Sequence, residues 1–149
     1  MSNDINTIQK LRDMTGAGVM ECKKALEEAG GDITKAAEIV VAKGAAKMEG
    51  RSERATGAGQ IFSYVHSNRI GVLLDLRAET DFVVKTDDFQ NLGHELALQL
   101  SAVPAASVDE FLASNYIKNE SKTVKDLIME VSGKTGEVIR VNAISRLEV

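Results

Sequence analysis

The chain has 149 residues, 44% hydrophobic and 27% charged, a balance that excludes wholesale disorder and fibrous repeats. Its 18 Lys and Arg against 22 Asp and Glu give a net charge of -4, which argues against nucleic-acid binding through a broad basic surface, because that affinity comes from cations neutralising phosphates. No run approaches the ~18 apolar residues of a membrane-spanning helix, and the first ten residues lack the basic start and apolar stretch of a signal peptide, so a cytoplasmic location without membrane contact is expected.

Three short helices separated by glycine turns are predicted first. Ile5, Ile8 and Leu11 recur at threes behind a candidate cap, Asp4, giving a helix to about Met14, broken by Thr15, Gly16, Ala17 and Gly18. A second helix over 19–29 aligns Cys22, Ala25, Leu26 and Ala29 on one face before Gly30 and Gly31 end it. Asp32 caps a third, with a stripe of Ile33, Ala36, Ala37, Val40 and Val41, that stops near Gly44. At ~100° per residue Met20 falls opposite the apolar face of its helix. It is either an ordinary exposed apolar residue, the commoner case, or part of an adaptable contact surface with Val19. Lys43, Lys47, Arg51 and Arg54 against Glu49 and Glu53 then read as a solvated linker.

A hairpin follows, with strands over 60–66 and 70–78 around a Ser67-Asn68-Arg69 turn. Past the polar stretch that contains Asp81 and Phe82, Thr86 and Asp87 open a helix carrying Phe89, Leu92, Leu96 and Leu100, ending before Pro104. Ser107 with Glu110 and Thr123 with Asp126 mark two more helix starts, and Gly133 and Gly136 close the last helix. The segment 138–149 alternates Ile139, Val141, Ala143 and Leu147 against Arg140, Asn142, Arg146 and Glu148, which is strand periodicity. The fold class is therefore α+β: an N-terminal three-helix bundle over 1–44, a linker over 45–56, and over 57–149 a small antiparallel sheet packed with helices.

No catalytic constellation emerges, and no cofactor or metal is expected. Cys22, the only cysteine, closes no disulfide within the chain and makes no zinc set with His66 and His94. Gly16-Ala17-Gly18 and Gly57-Ala58-Gly59 lack both the third glycine of a dinucleotide fingerprint and the Gly-Lys-Ser/Thr end of a P-loop. Asp75, Glu79, Asp81, Asp87 and Asp88 carry oxygen ligands suited to magnesium, but helix starts collect such residues for capping and solubility, and that reading weighs more. Phe82 in a polar turn must either fold back beneath Phe89 or project outward. Residue chemistry slightly favours burial, worth roughly 1.5 to 3 kcal/mol for a Phe side chain.

The run from Leu11 through Arg12, Asp13, Met14, Thr15, Gly16, Ala17, Gly18, Val19, Met20 and Glu21 to Leu26, then Gly31-Asp32 and Thr80-Asp81-Phe82-Val83, resembles translation elongation factor Ts over essentially the full chain. That resemblance implies a ubiquitin-associated-like N-terminal bundle and guanine nucleotide exchange on elongation factor Tu, with no covalent catalysis. It makes Arg12, Val19 and Met20 contacts for the partner's nucleotide-binding domain. Thr80, Asp81, Phe82 and Val83 then form an intruding turn whose aromatic wedges between the partner's helices. Val19 stands for the methionine usual before Met20, Thr86 for an asparagine, and Val138 interrupts the usual Gly-Glu-Asn-Ile run. The chain resembles short forms of the family, which implies a homodimer. A ubiquitin-associated-like adaptor for another helical partner is the alternative, and the need for Asp81-Phe82 in binding separates the two.

Overall fold

The computed structural model describes residues 5–149, so the expected cap Asp4 lies outside the described residues. Among the described residues ten elements follow in chain order: α1 (Ile5–Thr15), α2 (Val19–Glu28), α3 (Ile33–Glu49), β1 (Ala58–His66), β2 (Ile70–Ala78), α4 (Asp81–Val84), α5 (Asp87–Ala102), α6 (Val108–Ala113), α7 (Val124–Thr135) and β3 (Arg140–Glu148). Helices at the N-terminus followed by an antiparallel sheet packed with helices make the α+β arrangement that the patterning predicts.

In the bundle, Leu11, Cys22, Ala25, Leu26 and Ala36 form a small buried core, flanked by half-buried Ile8, Ile33, Ala37 and Val40. Ile5 and Val41, expected on these stripes, are exposed. The Asp32 carboxylate accepts the Thr34 and Lys35 amides at 3.0 and 3.1 Å, capping α3 as predicted. The third helix does not stop at Gly44 but continues to Glu49. Gly44 instead meets Gly133 of α7: a Cβ built on Gly133 would stand 3.1 Å from the Gly44 backbone. Gly133 likewise lies inside α7 and does not close it; both glycines serve a close helix crossing, not termination. Beyond α3 the chain is held down: the Arg140 guanidinium donates to the Ser52 and Arg54 carbonyls at 2.8 and 2.7 Å.

The sheet order is β1-β2-β3, antiparallel throughout. Ser67 and Asn68 take positive φ, 50° and 57°, as a type I′ hairpin turn requires. One face carries Phe62, Val72, Leu74, Leu76 and Val141 into a core shared with Phe89, Leu92, Leu96 and Leu100 of α5, Phe111 of α6, and Val124 and Ile128 of α7. β3 departs from the simple alternation predicted for it. Asp75 pairs with Ala143 but Leu76 with Val141, which leaves Asn142 as a bulge. The phase reverses there, so Ile144 and Arg146 point inward while Ala143 and Leu147 are exposed. The other face, with Ile61, Val65, Leu73 and Leu147 exposed, has no covering layer among the described residues.

Candidate functional site

The α1–α2 turn is shaped by its own polar groups. Thr15 donates through its hydroxyl to the Leu11 carbonyl at 2.8 Å and accepts the Ala17 amide at 3.3 Å, while Gly16 takes a φ of +71°. Half-buried Arg12 donates from Nε to the Ala17 carbonyl at 3.4 Å, so this residue braces the turn as well as bordering it. Met14, Val19 and Met20 are 51%, 48% and 61% exposed around it. The helical wheel thus orients Met20 correctly. Beneath them Cys22 is fully buried, and burial pushes its thiol pKa up, so it behaves as a small apolar residue.

The stretch after β2, expected as a polar turn, closes into the short helix α4. Val83 and Val84 face the core at 7% and 8% exposure; with a helical step of ~100° the preceding residues must face out. Phe82 is 86% exposed, against the burial that residue chemistry favours, and Phe89 fills the core without it, its ring 6.0 Å from that of Phe62. Asp81 and Thr80 are exposed, whereas Val83, expected with them as a contact, lies in the core and anchors the turn.

Hydrogen bonds hold α4 at both ends. Thr86 Oγ1 donates to the Val83 carbonyl at 2.6 Å, and Gln90 Nε2 donates to the Val84 carbonyl at 2.8 Å. At the other end Thr80 donates both its amide and its hydroxyl to Glu137, at 2.9 and 2.7 Å. Glu79 returns the contact by accepting the Val138 amide at 2.8 Å. Of the acidic residues weighed for magnesium, Asp75, Glu79 and Asp88 are drawn into separate pairings, and Asp81 and Asp87 are exposed. Asp75 sits with Arg77, whose hydrogen bond holds its carboxyl pKa below the usual value, and Asp88 with Lys134 at 3.3 Å. Among the described residues no cluster suited to a metal forms. His66 shares a 2.9 Å hydrogen bond with the Tyr64 hydroxyl, and His94 stands edge-on to Phe62.

Both sequence-predicted patches adjoin the chain at the end of α7 and just past it. Lys134 lies along Gly16 so closely that a Cβ there would stand 2.8 Å from its Cγ. Thr135 and Gly136 join Thr15, Gly18 and Lys47 in the wall of a cleft of about 380 Å³. One residue further on, Glu137 holds Thr80. Lys134 and Glu137 were not singled out from the sequence, since each acts across a long chain separation, 57 residues for Glu137 and Thr80.

A family model described as Elongation factor TS matches residues 79–149. The whole chain aligns at 40% identity with the elongation factor Ts of Thermotoga petrophila and at 42% with that of Thermotoga neapolitana, covering 97% and 98% of those proteins. The elongation factor Ts of Thermosipho melanesiensis is 46% identical over 134 residues, 89% of this chain and 68% of that one. The Thermotoga alignments run over 193 positions against 149 residues here, so those relatives carry residues without a counterpart in this chain.

Proposed function

The chain belongs to the elongation factor Ts family, and from that premise we propose that it is a guanine nucleotide exchange factor acting on elongation factor Tu. The observation that carries this reading is Phe82, a large aromatic 86% exposed on a turn pinned at both ends. Leaving such a side chain in water forgoes roughly 1.5 to 3 kcal/mol of burial, which a partner pocket would recover. Arg12, Val19 and Met20 dock the bundle on the partner, and Asp81 and Phe82 form the wedge, with Thr80 and Val83 as its frame. The wedge fits the partner's nucleotide-loosened conformation better than its closed one. By reciprocity it then weakens GDP binding by the same factor that GDP weakens its own. The protein acts by binding, in the cytoplasm, without covalent chemistry, cofactor, nucleic acid or membrane. The test is release of labelled GDP from elongation factor Tu with and without the chain: acceleration is expected, and an unchanged rate sinks the proposal.

A homodimer is the second part of the reading, supported by the open sheet face. Its rows, read across the three strands, are Val65-Gly71-Leu147, Ser63-Leu73-Ser145 and Ile61-Asp75-Ala143. A second copy laid on this face in two-fold symmetry would bury Leu73 near the centre. Sedimentation at micromolar concentration is expected to give a dimer that Leu73→Lys dissociates. A wild-type monomer with full exchange activity would remove it.

A further inference from the structure

We propose that Glu137 is a positioning residue for Phe82: its carboxylate, by taking both the amide and the hydroxyl of Thr80, fixes the turn at the angle from which the aromatic enters the partner. This rests on the exchange reading and deepens it. α4 is too short to hold itself, since an isolated helix of one turn is unstable in water. Its N-cap residue, Thr80, makes no cap bond with its own side chain. The hydroxyl that would ordinarily serve the first turn donates to Glu137 Oε2 at 2.7 Å, and the amide donates to Oε1 at 2.9 Å. Bonds to a charged carboxylate are the stronger kind, and two on one carboxylate fix an orientation, not only a distance.

The clamp is reciprocal. Glu79 Oε2 accepts the Val138 amide at 2.8 Å, so the segments either side of Thr80 and Glu137 are cross-tied, and Arg54 pairs with the other oxygen of Glu79 at 3.5 Å. Val83 and Val84 supply the apolar floor, and Gln90 holds the far end through the Val84 carbonyl. Without Glu137 the floor and far end remain, and only the N-terminal edge beside Phe82 is freed. The defect is therefore one of aim and not of folding. Glu137 also follows directly on Thr135 and Gly136, which wall the cleft under the α1–α2 turn, so the same turn of chain sets the wedge relative to the bundle that carries Met20.

The test compares wild type, Phe82→Ala, Glu137→Ala, Glu137→Gln and Thr80→Val in GDP release from elongation factor Tu, with each chain's active concentration fixed by titration. Glu137→Ala is expected to lower the saturating release rate about tenfold while moving the half-saturating concentration less than about threefold, because the competent fraction falls but the docking surface stays. Glu137→Gln, which keeps one acceptor, falls between, and Thr80→Val reproduces part of the loss even if Glu137→Ala folds poorly. Hydrogen exchange at the Thr80 amide rises in both Glu137 variants. A merely structural role would lower the active concentration and leave the saturating rate per active molecule intact, which overturns the proposal. If Phe82→Ala is slow and Glu137→Ala is not, the clamp alone falls. If Phe82→Ala matches a wild type that accelerates release, the wedge falls and takes the clamp with it, whereas a wild type that does not accelerate release sinks the exchange reading itself.

Discussion

Replacing Phe82 with Ala separates the two fates that a large aromatic has at the protein surface. Full burial of a Phe side chain is worth roughly 1.5 to 3 kcal/mol. With the residue 86% exposed, only about one seventh of that is at stake, roughly 0.2 to 0.4 kcal/mol, partly offset by alanine's better helix propensity. The thermal midpoint should therefore move by less than about 2 °C. Phe89→Ala is the contrast: its ring is fully buried, and truncating a core Phe costs about 3 to 5 kcal/mol. On the partner the order inverts. An aromatic that anchors an interface costs about 2 kcal/mol or more when truncated, and because the wedge is proposed to fit the nucleotide-loosened state specifically, that loss corresponds to roughly a thirtyfold fall in accelerated GDP release. Circular dichroism melts and stopped-flow release of fluorescent GDP at saturating factor read the two quantities. A midpoint lowered by about 10 °C or more would show that Phe82 supports this chain's own core. A release rate within about twofold of wild type would show that the aromatic does not act on the partner.

Met20→Asp should weaken complex formation with elongation factor Tu at least tenfold, about 1.4 kcal/mol, while the circular dichroism of the free chain stays unchanged; equal affinity removes Met20 from the interface. In Gly93→Ala the new methyl would overlap the Phe62 ring, itself only 2% exposed, so overpacking of about 1 to 3 kcal/mol outweighs a helix-propensity gain of at most about 1 kcal/mol. Urea denaturation should give a lower midpoint, and an unchanged or higher one contradicts the packing seen at that crossing. Glu95 is held below the ordinary carboxylate pKa by Lys118 and then by Tyr116, whose own pKa burial and Glu95 push up to about 12. A folded-state pKa below the unfolded one gives stability that is present above the ordinary value and lost as pH falls through the depressed one. The stability gap between wild type and Lys118→Met should thus shrink from neutral pH to about pH 3, and a constant gap rejects the ion pair as its source.

The elements most legible in the sequence were those whose signals are local. Asp32, Ser107 and Thr123 are caps that act within three residues, and each accepts amides from the first turn of the helix it is expected to start. Met20 was legible for the same reason: its direction follows from the period of one helix. What escaped were features decided by tertiary contact. Gly44 and Gly133 carry the usual signature of helix ends, and only the crossing of α3 over α7 shows why glycines stand inside both. Phe82 was pulled toward the core by its hydrophobicity, and nothing local announced that Val83 and Val84 would take the two inward positions of a one-turn helix. Glu137 lies in the Gly-Glu-Asn-Ile run that the family resemblance marks, but nothing local ties it to Thr80, since that partner lies on another element.

The bulge at Asn142 links the core to the open face. Had β3 kept strict alternation beyond Val141, Ala143 and Leu147 would point inward, and Ile144 and Arg146 would project from the outer face. The extra residue exchanges the two sets. Arg146 then lies against the end of α5 and donates to the Leu100 and Ser101 carbonyls, both at 3.0 Å, satisfying acceptors that a helix C-terminus leaves orphaned and placing a cation where the helix dipole favours one. Asn142 itself is tied to Asp75 by a 2.9 Å hydrogen bond, which holds the bulge in register. On the other side Leu147 comes level with Val65, and Ala143 with Ile61, so the outer face turns apolar at both ends around Leu73. A monomer would gain nothing from that second consequence, because exposed Leu and Val are tolerated singly but a strip of them across three strands invites association. The inserted residue therefore satisfies the end of α5 and supplies the surface that the proposed second copy would cover.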